Sequence, residues 1–169
     1  MGLIPEISER MSIRKFKSRK IDKEKLNSIL EAGRRAPSAK NRQPWRFVVI
    51  QDKELRKKIE KAAFGQEHVG QAPDIIAVCS TNIGYRMPNG QLSYPVDISF
   101  AASFMMFQAQ HEGLGSCVVT TFDEAKVKEL ITVPYSMRIV LLLLIGYPDE
   151  VPFPPDRKKI RSITSYNHW

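Results

Sequence analysis

The spacing of apolar and polar residues predicts helices and strands in turn along the first half of the chain. Apolar residues after Asp22 recur at helical spacing, which predicts a helix that Asp22 caps and that ends before Pro37. Trp45 to Ile50 is rich in β-branched and aromatic residues and predicts a strand. Asp52 then caps a second helix with one apolar face and one face of lysines. The apolar positions of the first helix are Leu26, Ile29, Leu30 and Gly33.

The second half of the chain adds three strands and two helices. Asp97 to Glu112 is apolar nearly all the way round, which predicts a central helix buried on most faces. Asp123 caps a shorter helix. By length the last apolar segment suits a strand or a helix, but its β-branched content and the glycine and proline at its end favour a strand. The predicted strands are Asp74 to Ser80, Ser116 to Thr121 and Arg138 to Tyr147.

Length and composition predict one domain with a single core. The chain has 169 residues and is 43% hydrophobic, and no apolar run reaches the roughly 18 residues of a membrane span. Residues 1 to 19 contain no apolar core of a signal peptide, so we expect a cytoplasmic protein without membrane partners. Cys79 and Cys117 lie far apart in apolar segments and are expected to be buried and reduced.

Positive charge is concentrated at the N-terminal end. The net charge is +8, yet residues 1–61 hold 18 Lys and Arg against 8 Asp and Glu, and the remainder holds 8 against 10. A basic half suggests nucleic acid, but the pattern lacks interleaved aromatics and the spacing of known nucleic-acid motifs. A small phosphate ligand together with solvated lysines explains the charge with fewer assumptions. We therefore expect no nucleic-acid partner.

The segment APSAKNRQPWRF, from Ala36 to Phe47, connects the first helix to the first strand. Pro37 and Pro44 restrict its backbone, and a serine, an asparagine and a glutamine supply neutral hydrogen-bonding groups. Such a loop suits a polar ligand. The other interpretation is a proline-stiffened turn whose polar side chains cap the preceding helix.

Several kinds of active site are excluded by the motifs that are missing. Gly113-Leu114-Gly115 follows a helix and lacks the third glycine of a dinucleotide-binding motif, and no phosphate-binding P-loop occurs. The three histidines are scattered without metal-ligand spacing, so we expect no metal. There is no nucleophile elbow. If the protein is an enzyme, an organic cofactor carries the chemistry.

Basic residues at both ends of the chain suit a phosphate monoester. Arg10, Ser12 and Arg14 are spaced so that a helical turn would bring them to one side, and Arg157 and Lys158 lie in the proline-rich tail. Guanidinium groups bind phosphate oxygens in a bidentate way. A solvated basic surface is the other interpretation.

Four segments together resemble the nitroreductase-like flavoproteins. They are RMSIRKF at Arg10 to Phe16, the Ala36 to Phe47 loop, HEGLGSC at His111 to Cys117, and the tail with DRKKI. The resemblance implies an α+β, three-layer fold in which helices flank a central, mixed but mainly antiparallel sheet. It also implies a homodimer with FMN at the subunit interface, built from a single domain of residues 1–169 whose tail, residues 149–169, packs on the partner subunit.

The resemblance also implies roles for individual residues. Arg10, Arg157 and Lys158 hold the FMN phosphate, Ser12 contacts the phosphate or ribityl chain, and Arg14 lies near the N1/O2 edge of the flavin ring. Pro37 and Ser38 reach the flavin from the partner subunit. The full implied cofactor-binding set is Arg10, Met11, Ser12, Arg14, Pro37, Ser38, Ala39, Asn41, Thr120, Thr121, Arg157 and Lys158.

Two positions depart from the family pattern. Thr120 and Thr121 replace a glycine-containing pair whose backbone N–H donates toward flavin N5, and Met11 replaces a common second arginine. The implied activity is a ping-pong oxidoreduction: NADH or NADPH gives hydride to flavin N5, and a small acceptor such as a nitroaromatic or a quinone then takes it. The loop from Asn82 to Pro95 is where we expect acceptor selectivity. A flavin-free binding protein of the same fold, or a basic nucleic-acid-binding domain, is the alternative.

Overall fold

Four strands form one antiparallel sheet at the centre of the structure. The computed structural model describes residues 2–169, and the strands are β1 (Trp45–Ile50), β2 (Asp74–Ser80), β3 (Gly115–Val119) and β4 (Arg138–Gly146). Their order across the sheet is β1-β2-β4-β3, and every neighbouring pair is antiparallel. Within residues 2–169 the parallel component is limited to an isolated bridge between Ser12 and Ser116 on the outer edge of β3.

In the described part of the chain, residues 2–169, six helices pack around this sheet. The longest are α2 (Lys23–Arg34), α3 (Lys53–Ala62) and α5 (Tyr94–His111). The shorter ones are α1 (Pro5–Ser8), α4 (Glu67–Gln71) and α6 (Glu124–Ile131), and 3-10 turns occur at Ala39–Asn41 and Ile160–Ser162. None of the helices within residues 2–169 combines the length and apolar content that a bilayer crossing requires.

Two apolar clusters, one on each face of the sheet, give the fold its three layers. Side chains of α2 and α5 pack with Ile76 and Val78 of β2, whereas side chains of α3 and α6 pack with Ile75 and Ala77 of the same strand. Because helices cover both faces, all seven residues of β2 are buried. This arrangement confirms the predicted α+β, three-layer fold.

Most of the predicted elements are present, with changes at their ends. The helix α5 begins at Tyr94, three residues before the predicted start, because Pro95 fits its first turn. The strand β3 ends at Val119, so Thr120 and Thr121 follow it instead of belonging to it. The helices α1 and α4 were not predicted, since four or five residues are too few to show a helical period.

The prediction that the side chain of Asp22 caps α2 is wrong. Asp22 occupies the cap position, but its side chain makes no capping hydrogen bond and instead accepts one from the Tyr147 hydroxyl at 2.8 Å. The caps of α3 and α6 are confirmed: the carboxylates of Asp52 and Asp123 accept from the backbone N–H groups of Leu55 and Lys126.

The C-terminal tail lies outside the core. Phe153 is 96% exposed, Tyr166 is 86% exposed and Trp169 is fully exposed. Within residues 2–169, no hydrogen bond or ion pair connects residues 151–169 to the rest of the chain. The last ties to the body are a backbone hydrogen bond from Asp149 to Lys15 and an ion pair between Lys15 and Glu150.

Candidate functional site

The segment from Arg10 to Arg14 runs extended beside β3, so the predicted helical turn is wrong. Ser12 forms the parallel bridge with Ser116, and the Ile13 N–H donates to the Ser116 carbonyl at 3.0 Å. In extended backbone, alternate residues share a face. Ile13 is buried and Met11 packs against the core, which leaves Arg10, Ser12 and Arg14 on the other face. The structure therefore brings these three together, at strand spacing.

The positive charges of Arg10 and Arg14 act on β3, the edge strand of the sheet. Burial raises the pKa of the Cys117 thiol, and the positive charges of Arg14 and Arg10 act against that increase. Neither arginine forms an ion pair with any carboxylate of residues 2–169. Two guanidinium groups without an acidic partner, with a hydroxyl between them, form a site suited to an anion.

A histidine that the sequence pattern did not single out as a site residue faces the same region. His68 lies on α4, is partly buried, and has a pKa lowered first by burial and then by the charge of Arg14. Its neighbour Gln66 donates from its side-chain amide to the Thr121 carbonyl at 2.8 Å. The residue directly before α4 therefore contacts the segment that follows β3. A helix this short leaves no periodic signal from which these contacts follow.

The loop from Pro37 to Gln43 holds three residues in left-handed backbone conformations. Lys40, Asn41 and Gln43 have φ angles of 54°, 50° and 50°. Such a conformation costs a residue other than glycine about 1–3 kcal/mol, so surrounding contacts must hold it in place. One such contact lies inside the loop, where the Gln43 N–H donates to the Ser38 hydroxyl oxygen at 2.9 Å.

The loop is also attached to the body of the protein. The Ala39 N–H donates to the buried carboxylate of Asp97 at 2.8 Å, and the Arg42 guanidinium lies 3.9 Å from the ring centre of Tyr85. Within residues 2–169, no side chain of Ser38, Asn41 or Gln43 hydrogen-bonds to a carbonyl of α2. The helix-capping interpretation of these polar residues is therefore wrong.

The structure does not bring all the predicted residues into one place. Thr120 and Thr121 are exposed directly after β3, four and five residues beyond Ser116, the bridge partner of Ser12. Arg157 and Lys158 are exposed on the tail, without an ion pair to residues 2–169. The roles of these four residues stay predictions.

A large cavity lies away from the predicted residues. It has a volume of about 940 Å³, is bordered by the beginnings of α2 and α3, and is lined by none of the twelve predicted cofactor-binding residues. The predicted residues are exposed or half-buried instead. Among residues 2–169, no group of three His, Cys, Asp or Glu is arranged to hold a metal ion.

Both thiols are expected to be unreactive in the native protein. Cys79 and Cys117 are buried, and burial raises the pKa of Cys79 to about 11. Native protein at pH 8 should therefore react with a disulfide reagent at least about 100-fold more slowly than unfolded protein, in which two thiols react. Stopped-flow absorbance measures both rates. Rapid labelling of the native protein would contradict the burial of these thiols.

Comparison with known proteins identifies the family. The nitroreductase family model matches residues 7–74 and 63–147. A putative NADH dehydrogenase/NAD(P)H nitroreductase of Archaeoglobus fulgidus is 33% identical over 153 residues, covering 87% of this chain and 86% of that protein.

Solved structures agree with this match. A nitroreductase family protein of Clostridium difficile 630 is 33% identical, covers all of both chains and superimposes with a TM-score of 0.88. An FMN-dependent nitroreductase of Clostridium difficile R20291 is 27% identical, covers 99% of this chain and all of that one, and has a TM-score of 0.87. The chain belongs to the nitroreductase family.

Proposed function

We propose that this protein is an FMN-dependent oxidoreductase that takes hydride from NADH or NADPH and passes it to a small acceptor such as a nitroaromatic or a quinone. The observation that carries the proposal is the face formed by Arg10, Ser12 and Arg14. The guanidinium groups of the two arginines have no acidic partner within residues 2–169. The names of two similar proteins support the proposal: one is an FMN-dependent nitroreductase, and the other is a putative NADH dehydrogenase/NAD(P)H nitroreductase.

The residues present fit the cofactor. Arg10 and Ser12 would hold the phosphate of FMN, because a guanidinium and a hydroxyl are donors that match phosphate oxygens. Arg157 and Lys158 would add two cations from a tail that extends away from its own body. The chemistry that bound FMN would supply is acceptance of hydride from the nicotinamide and its donation to the acceptor, in two successive half-reactions of a ping-pong scheme.

Arg14 and the Pro37–Gln43 loop would shape the site around the ring. Arg14 places a fixed positive charge where negative charge develops during reduction. Pro37, Ser38, Ala39 and Asn41 would line the ring through the constrained backbone described above. Thr120 and Thr121 would supply backbone donors, and their β-branched side chains would narrow the face open to substrate.

An exposed apolar stripe supports a homodimer. Val96, Phe100 and Phe104 recur every four residues on α5 and are 38%, 46% and 38% exposed. Residues at this spacing lie on one side of a helix. Contiguous exposed apolar side chains mark protein interfaces. We propose that this stripe packs on a second copy of the chain and that the tail crosses to that copy.

The flavin content of the purified protein tests the proposal directly. We expect a yellow protein that releases FMN on denaturation and whose visible absorbance bleaches when NADH or NADPH is added without oxygen. Chromatography identifies the released flavin, and the two nucleotides are added to separate samples. A colourless protein that FMN cannot reconstitute would favour a flavin-free binding protein of the same fold.

Replacing Arg14 by alanine should slow reduction more than it weakens FMN binding. The loss of a positive charge near the ring is expected to lower the rate of reduction by NADH or NADPH about 10- to 100-fold, while Arg10 and Ser12 still hold the phosphate. Anaerobic stopped-flow absorbance measures that rate. Arg19→Ala is the control, because Arg19 is exposed and stacks 4.1 Å from the ring centre of Tyr147. Equal reduction rates in parent and Arg14→Ala would remove Arg14 from this role.

Replacing Phe100 by aspartate should separate the subunits. The change places a charge at the centre of the stripe, where dimer formation would bury it at a high free-energy cost. We expect a folded monomer in analytical ultracentrifugation at micromolar concentration, since Phe100 is outside the core. Ser99→Asp is the comparison, because Ser99 is also exposed on α5 and directly precedes Phe100. A Phe100→Asp dimer as stable as the parent would exclude this stripe from the interface.

A further inference from the structure

Asp97 is a buried carboxylate with a specific contact to the candidate site. It lies in the first turn of α5 and is 3% exposed, and its Oδ1 atom accepts a hydrogen bond of 2.8 Å from the Ala39 N–H. Negative charge in the first turn of an α-helix is stabilised by the helix dipole, which offsets part of the cost of burying this carboxylate. The contact joins residues 58 positions apart in the chain.

This hydrogen bond holds the loop where its backbone is most constrained. Ala39 directly precedes Lys40 and Asn41, two of the three left-handed residues. The other hydrogen bonds of the loop lie within it, or at its end, where Thr81 donates to the Pro44 carbonyl. Among residues 2–169, the hydrogen bond to Asp97 is therefore the only one that joins the middle of the loop to the core, and an unusual conformation persists only with such support.

The same helix carries the proposed subunit interface. Val96 and Phe100 are exposed on one side of α5, whereas Asp97 is buried on another side beneath the loop. We infer that Asp97 is a positioning residue: it fixes the Pro37–Gln43 loop on the interface helix so that the loop backbone is preorganised to meet FMN across that interface. This inference rests on the proposed function for its ligand, but its structural part can be tested without FMN.

The first experiment measures release of the loop in FMN-free protein. Lys40 and Arg42 are exposed trypsin sites within the loop. In Asp97→Ala we expect cleavage after these residues to be about 10-fold faster than in the parent, because the hydrogen bond that closes the loop is lost. Asp97→Asn retains an oxygen that accepts from the Ala39 N–H, and its cleavage rate should stay within about threefold of the parent. Mass spectrometry identifies the cut sites.

The second experiment titrates FMN into the full-length protein after its FMN has been removed, and measures the affinity by fluorescence. We expect Asp97→Ala to raise the dissociation constant of FMN about 10-fold or more, and Asp97→Asn to restore most of the affinity. Asp74→Ala is the matched control, since Asp74 is 2% exposed and accepts a hydrogen bond from Gln51. Asp74 begins β2, whereas the loop leads into β1 at Trp45, which pairs with the last residue of β2. Asp74→Ala should lower the melting temperature without changing FMN affinity or loop cleavage. If Asp97→Ala gives no folded protein, Asp97→Ser replaces it. The serine side chain is shorter than that of aspartate, so its hydroxyl does not reach the Ala39 N–H.

The outcomes separate this inference from the proposed function. Folded Asp97→Ala (or Asp97→Ser) with the parent's loop cleavage rate and FMN affinity would overturn the positioning role, as would failure of Asp97→Asn to restore them. A parent protein that binds no FMN would instead refute the proposed function. The cleavage experiment would then still decide whether Asp97 holds the loop.

Discussion

Truncation after Glu150 is expected to give a folded monomer that binds FMN much more weakly. The tail contributes no buried apolar residue to its own subunit, because Phe153, Tyr166 and Trp169 are almost wholly exposed. The chain should therefore remain folded when residues 151–169 are removed. FMN affinity should fall by at least about 100-fold, since two phosphate-binding cations and the exchanged segment are lost together.

The structure also offers a surface that a partner's tail can use. In residues 2–169 no strand pairs with the outer edge of β1, whereas the outer edge of β3 carries the bridge from Ser12. An unpaired strand edge presents free N–H and C=O groups and readily accepts another segment. For the truncated protein, sedimentation velocity measures the loss of the dimer, and fluorescence titration measures the loss of FMN affinity.

Point variants separate the two effects of truncation. Full-length Arg157→Ala with Lys158→Ala keeps the tail and removes its proposed phosphate contacts, so it should remain dimeric and bind FMN more weakly. A truncated protein that is still dimeric and binds FMN like the parent would show that residues 151–169 serve neither the interface nor the site. Loss of folding on truncation would mean that the tail packs on its own subunit after all.

The sequence predicted the fold well because most elements are long enough to show a period. The helix α2 and the strands β1 and β2 occur where the apolar spacing placed them. The helix α4 and its residue His68 could not be found in this way, since five residues carry no helical pattern. The hydrogen bond from Tyr147 to Asp22 could not be found in this way either, because the two residues are 125 positions apart in the chain.

The candidate site shows the same limit. Arg10, Ser12 and Arg14 share a face as predicted, but the predicted reason was a helical turn, and the observed one is the two-residue period of an extended segment. The left-handed residues of the Pro37–Gln43 loop carry no glycine that would announce them. Their conformation is imposed by contacts such as the one with Asp97, which spacing along the chain does not reveal.

Replacing Gly115 by alanine is expected to damage both stability and cofactor binding. A Cβ atom at this position would lie 2.5 Å from Cγ1 and 2.8 Å from Cβ of Ile13. The Cβ of Ile13 is bonded to its backbone, so a new rotamer cannot remove the overlap and the segment from Arg10 to Arg14 must move. The hydrogen bond from Ile13 to Ser116 would be strained as well. We expect the free energy of unfolding to fall by about 2–3 kcal/mol.

The movement should reach the proposed phosphate site, because Ile13 lies between Ser12 and Arg14 on one short extended segment. We expect FMN affinity in the folded protein to fall about 10- to 100-fold, and denaturant unfolding with FMN titration measures both effects. Gly84→Ala is the control, since no atom lies within 4 Å of its Cβ position. Adding Ile13→Ala removes two of the three close atoms, so the double variant should lose less stability than the sum of the single variants. If Gly115→Ala lost stability but kept the parent's FMN affinity, the extended segment beside β3 would not be the phosphate site.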